Sequence, residues 1–179
     1  MNTQPNPPFD RLEASLQRLS ARMPDTPIAG IMLSRLMLNL GRGMAGMLEQ
    51  QIRPFGLAEA EFRVLTTLFS QPEGVAHPSD LCARTSHSPA NMSRISDALV
   101  SRDLITRVLS AHDRRRMVLR ITEQGEELVR RLLPLLFAPL REMLEDFSDE
   151  EQQQLIAQLK RLGMKLDQVT AAEIPERGS

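Results

Sequence analysis

The chain has 179 residues, with no tryptophan, no tyrosine and an aromatic content of 3%. Bases of single strands are held largely on aromatic faces, so a stacking platform for single-stranded nucleic acid is excluded. The one cysteine, Cys82, excludes an internal disulfide framework. Flanked by Leu81 and Ala83, it reads as a small buried apolar residue rather than an oxidant sensor. His77, His87 and His112 lack metal-ligand spacing, so neither a metal nor a cofactor is expected. No run approaches the ~18 apolar residues of a membrane span. No basic end precedes an apolar core and a small-residue cleavage site, so no leader is expected. The expected location is cytoplasmic, with no membrane partner. Neither a nucleophile elbow nor a phosphate loop occurs. The carboxylates of Glu126-Glu127 and Asp149-Glu150-Glu151 sit at helix starts, where they complement the dipole without catalytic work. An enzyme is therefore not expected.

What is present is an uneven distribution of charge. The formal net charge is −1. Residues 84–120 carry eight arginines against three aspartates, a balance of +5, and the remainder carries 14 basic against 20 acidic residues, −6. A basic segment inside an acidic protein points to one focused polyanion-binding face. Every base in that segment is arginine, whose fork suits phosphate and guanine edges.

The pattern along the chain is mainly helical. Residues 1–9 read as a disordered start. Asp10–Met23 reads as a short amphipathic helix with Leu12, Leu16 and Leu19 on one side. Thr26 and Pro27 suit the N-cap and first position of a long helix that runs to about Arg53, stopped by Pro54 and Gly56. Leu33, Met37, Leu40, Met44 and Met47 form a seam along it at spacings of four and three. Gly41, Gly43 and Gly46 weaken it, leaving room beside it or admitting another backbone. Ala58–Ser70 is a helix with Phe62, Leu65 and Phe69 inward. Gly74–His77 is a candidate strand. Pro78–Thr85 is a helix, Ser86-His87-Ser88 a break, and Ser88 the cap of a helix opened by Pro89 and running to Arg102. Asp103 ends it, and Ile105–Leu109 and Met117–Ile121 are strands about an arginine turn. Thr122 caps a helix to about Asp146, kinked or divided by Pro134 and Pro139. Ser148 and Glu151 form a capping box for a last helix, with Leu155, Leu159, Leu162, Leu166 and Val169 as its stripe. Residues 174–179 read as a tail.

Helix, three-residue break, second helix and a basic-tipped hairpin make a winged helix-turn-helix. Met92, Ile95 and Leu99 face inward on the second helix, which turns Ser88, Pro89, Asn91, Ser93 and Arg94 outward. Asparagine can read adenine with two bonds, arginine can read guanine or hold phosphate, and serine can bond either. Asp113, Arg114, Arg115 and Arg116 form the hairpin tip, suited to the minor groove of double-stranded DNA. Charge alone does not separate Arg115 from its neighbours.

These residues carry a resemblance. Asp113-x-Arg115 followed by Leu119-x-Ile121-Thr122-x-x-Gly125 resembles the wing signature of the MarR family of bacterial regulators. Ser88-x-x-Asn91-x-Ser93-Arg94-Ile95-x-Asp97-x-Leu99 resembles its recognition helix. Asp103 stands where that family usually has glycine. The resemblance extends over nearly the whole chain and is strongest to the branch that represses multidrug efflux pumps. It implies a homodimer joined by the terminal helices, with Leu12, Leu16, Leu155, Leu159, Leu162 and Leu166 in the interface. It implies a pseudo-palindromic operator, with Arg115 in the minor groove, Asp113 orienting it, and Arg114 or Arg116 on phosphate. It also implies a small aromatic or lipophilic effector where the dimerisation helices meet the winged domain. Met32, Met37 and Met44 would wall that pocket, with Arg35 and Arg42 as anion partners. The implied organisation is N-terminal helices over 10–56, a DNA-binding domain over 57–125 and C-terminal dimerisation helices over 126–173. The alternatives are a repressor of aromatic-compound catabolism and a structural DNA binder without ligand response.

Overall fold

The computed structural model describes residues 7–109 and 117–172. The arginine tip, Asp113 to Arg116, lies outside the described residues, as do positions 1–6 and the 174–179 tail. The chain forms two compact units divided between Glu126 and Glu127, and each is taken by itself.

The first unit opens with α1 (Pro7–Arg22) and α2 (Ile28–Ile52). Residues 7–9, expected to be disordered, already belong to α1. Proline is tolerated in a first turn, where its missing N–H has no intrahelical acceptor to lose. Thr26 does not cap α2. Its hydroxyl donates to the Met23 carbonyl at 2.6 Å, and the helix begins after Pro27. Beyond Ile52, one 3₁₀ turn (Arg53–Phe55) closes on Gly56, whose φ of 65° suits glycine.

There follow α3 (Glu59–Phe69), β1 (Val75–Ala76), α4 (Pro78–Thr85), α5 (Pro89–Val100), β2 (Ile105–Leu109) and β3 (Met117–Ile121). The strands form an antiparallel sheet in the order β1-β3-β2, with Ile105 opposite Ile121, Leu109 opposite Met117 and Val75 opposite Arg120. The fold is thus mainly helical with a small antiparallel sheet. β3 does not alternate strictly: Val118 and Leu119 are both buried. Successive residues of a strand point to opposite faces, so both faces of β3 are covered at that point. Asp103, at φ 55°, turns the chain out of α5 and into β2.

The core of this unit is drawn from the C-terminal end of α2 and from α3 to β3. Ile52, Val64, Leu65, Leu68, Leu81 and Leu99 have no exposed surface. Gly125, in the first turn of α6 (Glu123–Met143), has no room for a side chain. A Cβ there would stand 2.1 Å from the Leu104 carbonyl oxygen. Thr122 caps that turn, its hydroxyl accepting from the Gly125 N–H at 3.0 Å.

In the second unit, α6 runs as one helix through Pro134 and Pro139 to Met143, so the prolines do not divide it. Each proline deletes one ladder bond. Val129, Leu132 and Leu136 are nonetheless buried on one side of the helix. α7 (Asp149–Ala172) starts from the expected capping box. The Ser148 N–H donates to the Glu151 carboxylate at 2.9 Å, and the Glu151 N–H donates to the Ser148 hydroxyl at 3.3 Å. The Ser148 hydroxyl also donates to that carboxylate at 2.9 Å, and the backbone bond first, then this one, hold the Glu151 carboxyl below its ordinary value.

Candidate nucleic-acid interface

α4 and α5 are held at a fixed crossing by the break between them. Ser86 adopts φ 57°, and its N–H and that of His87 both return to the Cys82 carbonyl. Ser88 then caps α5, accepting from the Asn91 N–H at 3.3 Å, with Pro89 in the first turn. Met92, Ile95, Ser96 and Leu99 are buried. The Ser96 hydroxyl is satisfied within the helix by donating to the Met92 carbonyl at 2.7 Å. With that face committed to the core, Ser88, Pro89, Ser93 and Arg94 are exposed and Asn91 is half-exposed. The five residues expected to face outward on the recognition helix therefore lie together on the outer side of one capped helix.

Asn91 is already oriented. Its Oδ1 accepts from Arg94 Nη2 at 3.2 Å, and its Nδ2 lies 3.4 Å from His87 Nδ1. A guanidinium can only donate, so the oxygen must face Arg94 and the amide nitrogen must face the histidine. One lone pair and one amide hydrogen remain free, which is the set a two-bond contact with adenine uses. His87 Nε2 is buried without a partner. A backbone-level pattern could not have revealed this array, although the spacing of four from His87 to Asn91 and three to Arg94 places the groups on one face.

The arginines of the basic segment do not act alike. Arg102 turns inward: its guanidinium donates to the carbonyls of Gly56 at 2.7 Å and Phe55 at 2.9 Å, with Glu61 at 3.7 Å. It fastens the end of α5 to the end of α2 rather than meeting a polyanion. Arg107 on β2 pairs with Asp97 on α5 at 2.5 Å, so the one carboxylate on the outer side of the recognition helix is neutralised by its neighbour on the sheet. Arg84 and Arg94 stay exposed. Cys82 is half-buried rather than buried. With Met92 and Leu119 it floors a groove of about 620 Å³ between α4, α5 and the sheet, edged by Ser93 and Arg107.

The residues expected to hold an effector divide. Arg35 and Arg42 line a groove between α1 and α2. Met37 and Met44 each follow one of those arginines by two residues, about 200° further round the helix, and so face away from it. Met32, half-exposed, does not line the groove either. Of the expected interface leucines, Leu16 is buried within the chain, 2% exposed. Its surface is consumed by packing inside this protomer, and it is a core residue. Leu12 is half-buried, while Leu155, Leu159, Leu162 and Leu166 are exposed.

The comparisons with known proteins agree with this geometry. The MarR family profile matches residues 55–116, from the 3₁₀ turn after α2 to the residue before β3. The transcriptional repressor MprA of Escherichia coli K12 is 32% identical over 161 residues, covering 90% of this chain and 92% of MprA. The chain belongs to the MarR family. It is accordingly a DNA-binding transcriptional regulator and not an enzyme. Among solved structures, AbsC, a MarR family regulator from Streptomyces coelicolor, superposes with a TM-score of 0.69 at 26% identity, over 75% of this chain and 92% of AbsC. MepR of S. aureus in its DNA complex gives the same TM-score at 20% identity, over 74% of this chain and 95% of MepR, a likeness of fold alone. No helix among the described residues is long and apolar enough to cross a membrane.

Proposed function

We propose that this MarR-family protein is a homodimeric repressor of a multidrug efflux system, released from its operator by a small aromatic or lipophilic effector. The observation that carries the DNA reading is the exposed set Ser88, Pro89, Asn91, Ser93 and Arg94 on a helix whose opposite face is buried. Asp113, Arg114, Arg115 and Arg116 fall in sequence between β2 and β3, whose described pairing ends with Leu109 opposite Met117. The dimer reading is supported by the unburied stripe on α7. Residues 57–125 would bind DNA, with 10–56 and 126–173 serving dimerisation. Two-fold symmetry then asks for half-sites about one helical turn apart. Repression is supported by the likeness to MprA over nine-tenths of the chain. Control of an exporter rests on the resemblance of Asn91-x-Ser93-Arg94-Ile95 and of the helix preceding the long one.

Fluorescence anisotropy tests this with DNA from the protein's own upstream region, labelled on the DNA because the chain has no tryptophan. Tight sequence-dependent binding, reversed by one member of a phenolic panel, is expected. Arg115→Ala should abolish high-affinity binding while the dimer persists. Asn91→Ala should relax preference at one base position by about 1–3 kcal/mol. Unchanged affinity in the first variant removes the wing assignment, and a uniform loss across sequences in the second moves Asn91 onto phosphate.

A further inference from the structure

Ser86 turns the chain between α4 and α5 and Ser88 caps α5, whereas the side chain of His87 between them takes part in neither. Its ring is nonetheless held. The His87 backbone N–H returns to the Cys82 carbonyl at 3.2 Å, and Nε2 is buried with no hydrogen-bond partner among the described residues. The far edge of the ring is therefore inside the domain. The near edge, at Nδ1, lies 3.4 Å from Asn91 Nδ2. An amide nitrogen only donates, so Nδ1 accepts there, and the proton of the neutral ring sits on Nε2. A buried N–H with nothing to receive it costs stability that an apolar side chain would not. What the ring supplies in return is a fixed acceptor beside Asn91.

An asparagine amide has two ends, and their order decides what it reads. In the major groove adenine offers N7, an acceptor, beside an amino donor; guanine offers N7 beside a second acceptor, O6. An amide matched to adenine sets its oxygen against the amino group and its nitrogen against N7. Reversed, it sets its nitrogen against the keto oxygen of guanine or thymine. Two contacts on Asn91 hold one order. Arg94 Nη2 donates to Oδ1 at 3.2 Å, but Arg94 is exposed, and the bond is lost when its guanidinium swings to a phosphate. His87 is half-buried and keeps its place.

We infer that His87 is a specificity-determining positioning residue. Its Nδ1 fixes the order of the Asn91 amide, so that α5 selects adenine over guanine at the base pair Asn91 meets, without His87 touching the DNA. The inference rests on the base-reading role of Asn91 proposed above.

Selection by the full chain from a pool of fully randomised duplexes tests it, read as the base preference at each position. The parent should prefer adenine over guanine at one position of each half-site by about tenfold, and Asn91→Ala should flatten that position. His87→Leu should flatten the same position to within about twofold and leave the others unchanged. His87→Ala, which also lacks an acceptor and fits wherever histidine does, should behave alike. His87→Asn, which can set a carbonyl oxygen where Nδ1 stood, should restore the preference. In the Asn91→Ala background, His87→Leu should change nothing further. If His87→Leu and His87→Ala keep the preference that Asn91→Ala loses, the inference is overturned and the reading of Asn91 stands. A loss spread over all positions and not rescued by His87→Asn overturns it too, as does an added change in the Asn91→Ala background, because His87 would then meet the DNA itself. A parental preference in Asn91→Ala removes the base-reading role of Asn91 and the inference with it.

Discussion

The winged region and α7 contain leucines in similar abundance and use them oppositely. From α3 to β3, Leu65, Leu68, Leu81 and Leu99 have no exposed surface. On α7, Leu155, Ile156, Leu159, Leu162, Leu166 and Val169 are 37–63% exposed, and no side chain described on that helix is buried. α2 belongs to both regimes: Ile52 at its end is fully buried, while Leu33, Leu40 and Met44 along its length are 45–57% exposed. An apolar stripe at helical spacing therefore means two different things in one chain. Where neighbours in the sequence can return to cover it, it is core. Where they do not, its burial has to come from outside the single chain, and a contiguous apolar surface of that length marks an interaction site.

The contrast can be broken most forcefully inside the winged region. Leu99→Ala should lower unfolding free energy by about 2–5 kcal/mol, the cost of a large buried side chain and the cavity it leaves. Denaturant titration should give the same loss at every protein concentration, and a loss that grows on dilution would mean that this core is completed by a second copy. Leu159→Ala should cost less, about 1.5–3 kcal/mol if the residue is fully buried in a dimer, and only in a concentration-dependent way. Sedimentation equilibrium should show the weakened association, and unchanged association would put the stripe outside the interface. Gly41→Ala sharpens the comparison on α2. A Cβ there meets nothing within 4 Å, so the substitution should stabilise the helix by about 0.5–1 kcal/mol. A lower melting temperature would instead place another backbone against that face. The smallest effect is at the start of α7. Because the folded carboxyl of Glu151 is held below its ordinary value, its contribution is present above the unfolded value and disappears as pH falls through the folded one. Glu151→Ala should melt below the parent at neutral pH, and the gap should close as acid takes the parent below the folded value, read by circular dichroism; a gap that persists in acid would separate the cap from its charge.

The winged motif was legible because its signals are local. Pro78 and Pro89 each open a helix, Ser88 caps one, and Asp103 accepts the left-handed turn that ends it. What escaped the sequence is long-range. Arg102 looks like one more base in a basic stretch, yet its partners lie 46 and 47 residues earlier. The consecutive burial of Val118 and Leu119 depends on side chains brought from elsewhere in the chain to both faces of β3, and five residues that break alternation do not announce it. The grouping of Met37 and Met44 with Arg35 and Arg42 was a different kind of error. Two residues on a helix are more than half a turn apart, and the period alone separates them. The reach of Leu16 into the chain's own core was visible only once α1 had been laid against α2.

The inward turn of Arg102 has a mechanical consequence. By tying Phe55 and Gly56 to the end of α5, it makes α2 and the recognition helix two arms of one crank. A 25-residue arm is roughly 37 Å long, so a rotation of about 5° at the pivot corresponds to a displacement of about 3 Å at its far end. Read in reverse, a displacement far out on α2 would reach α5 as a change of angle, through a joint that the Arg102 guanidinium shares with the buried Ile52.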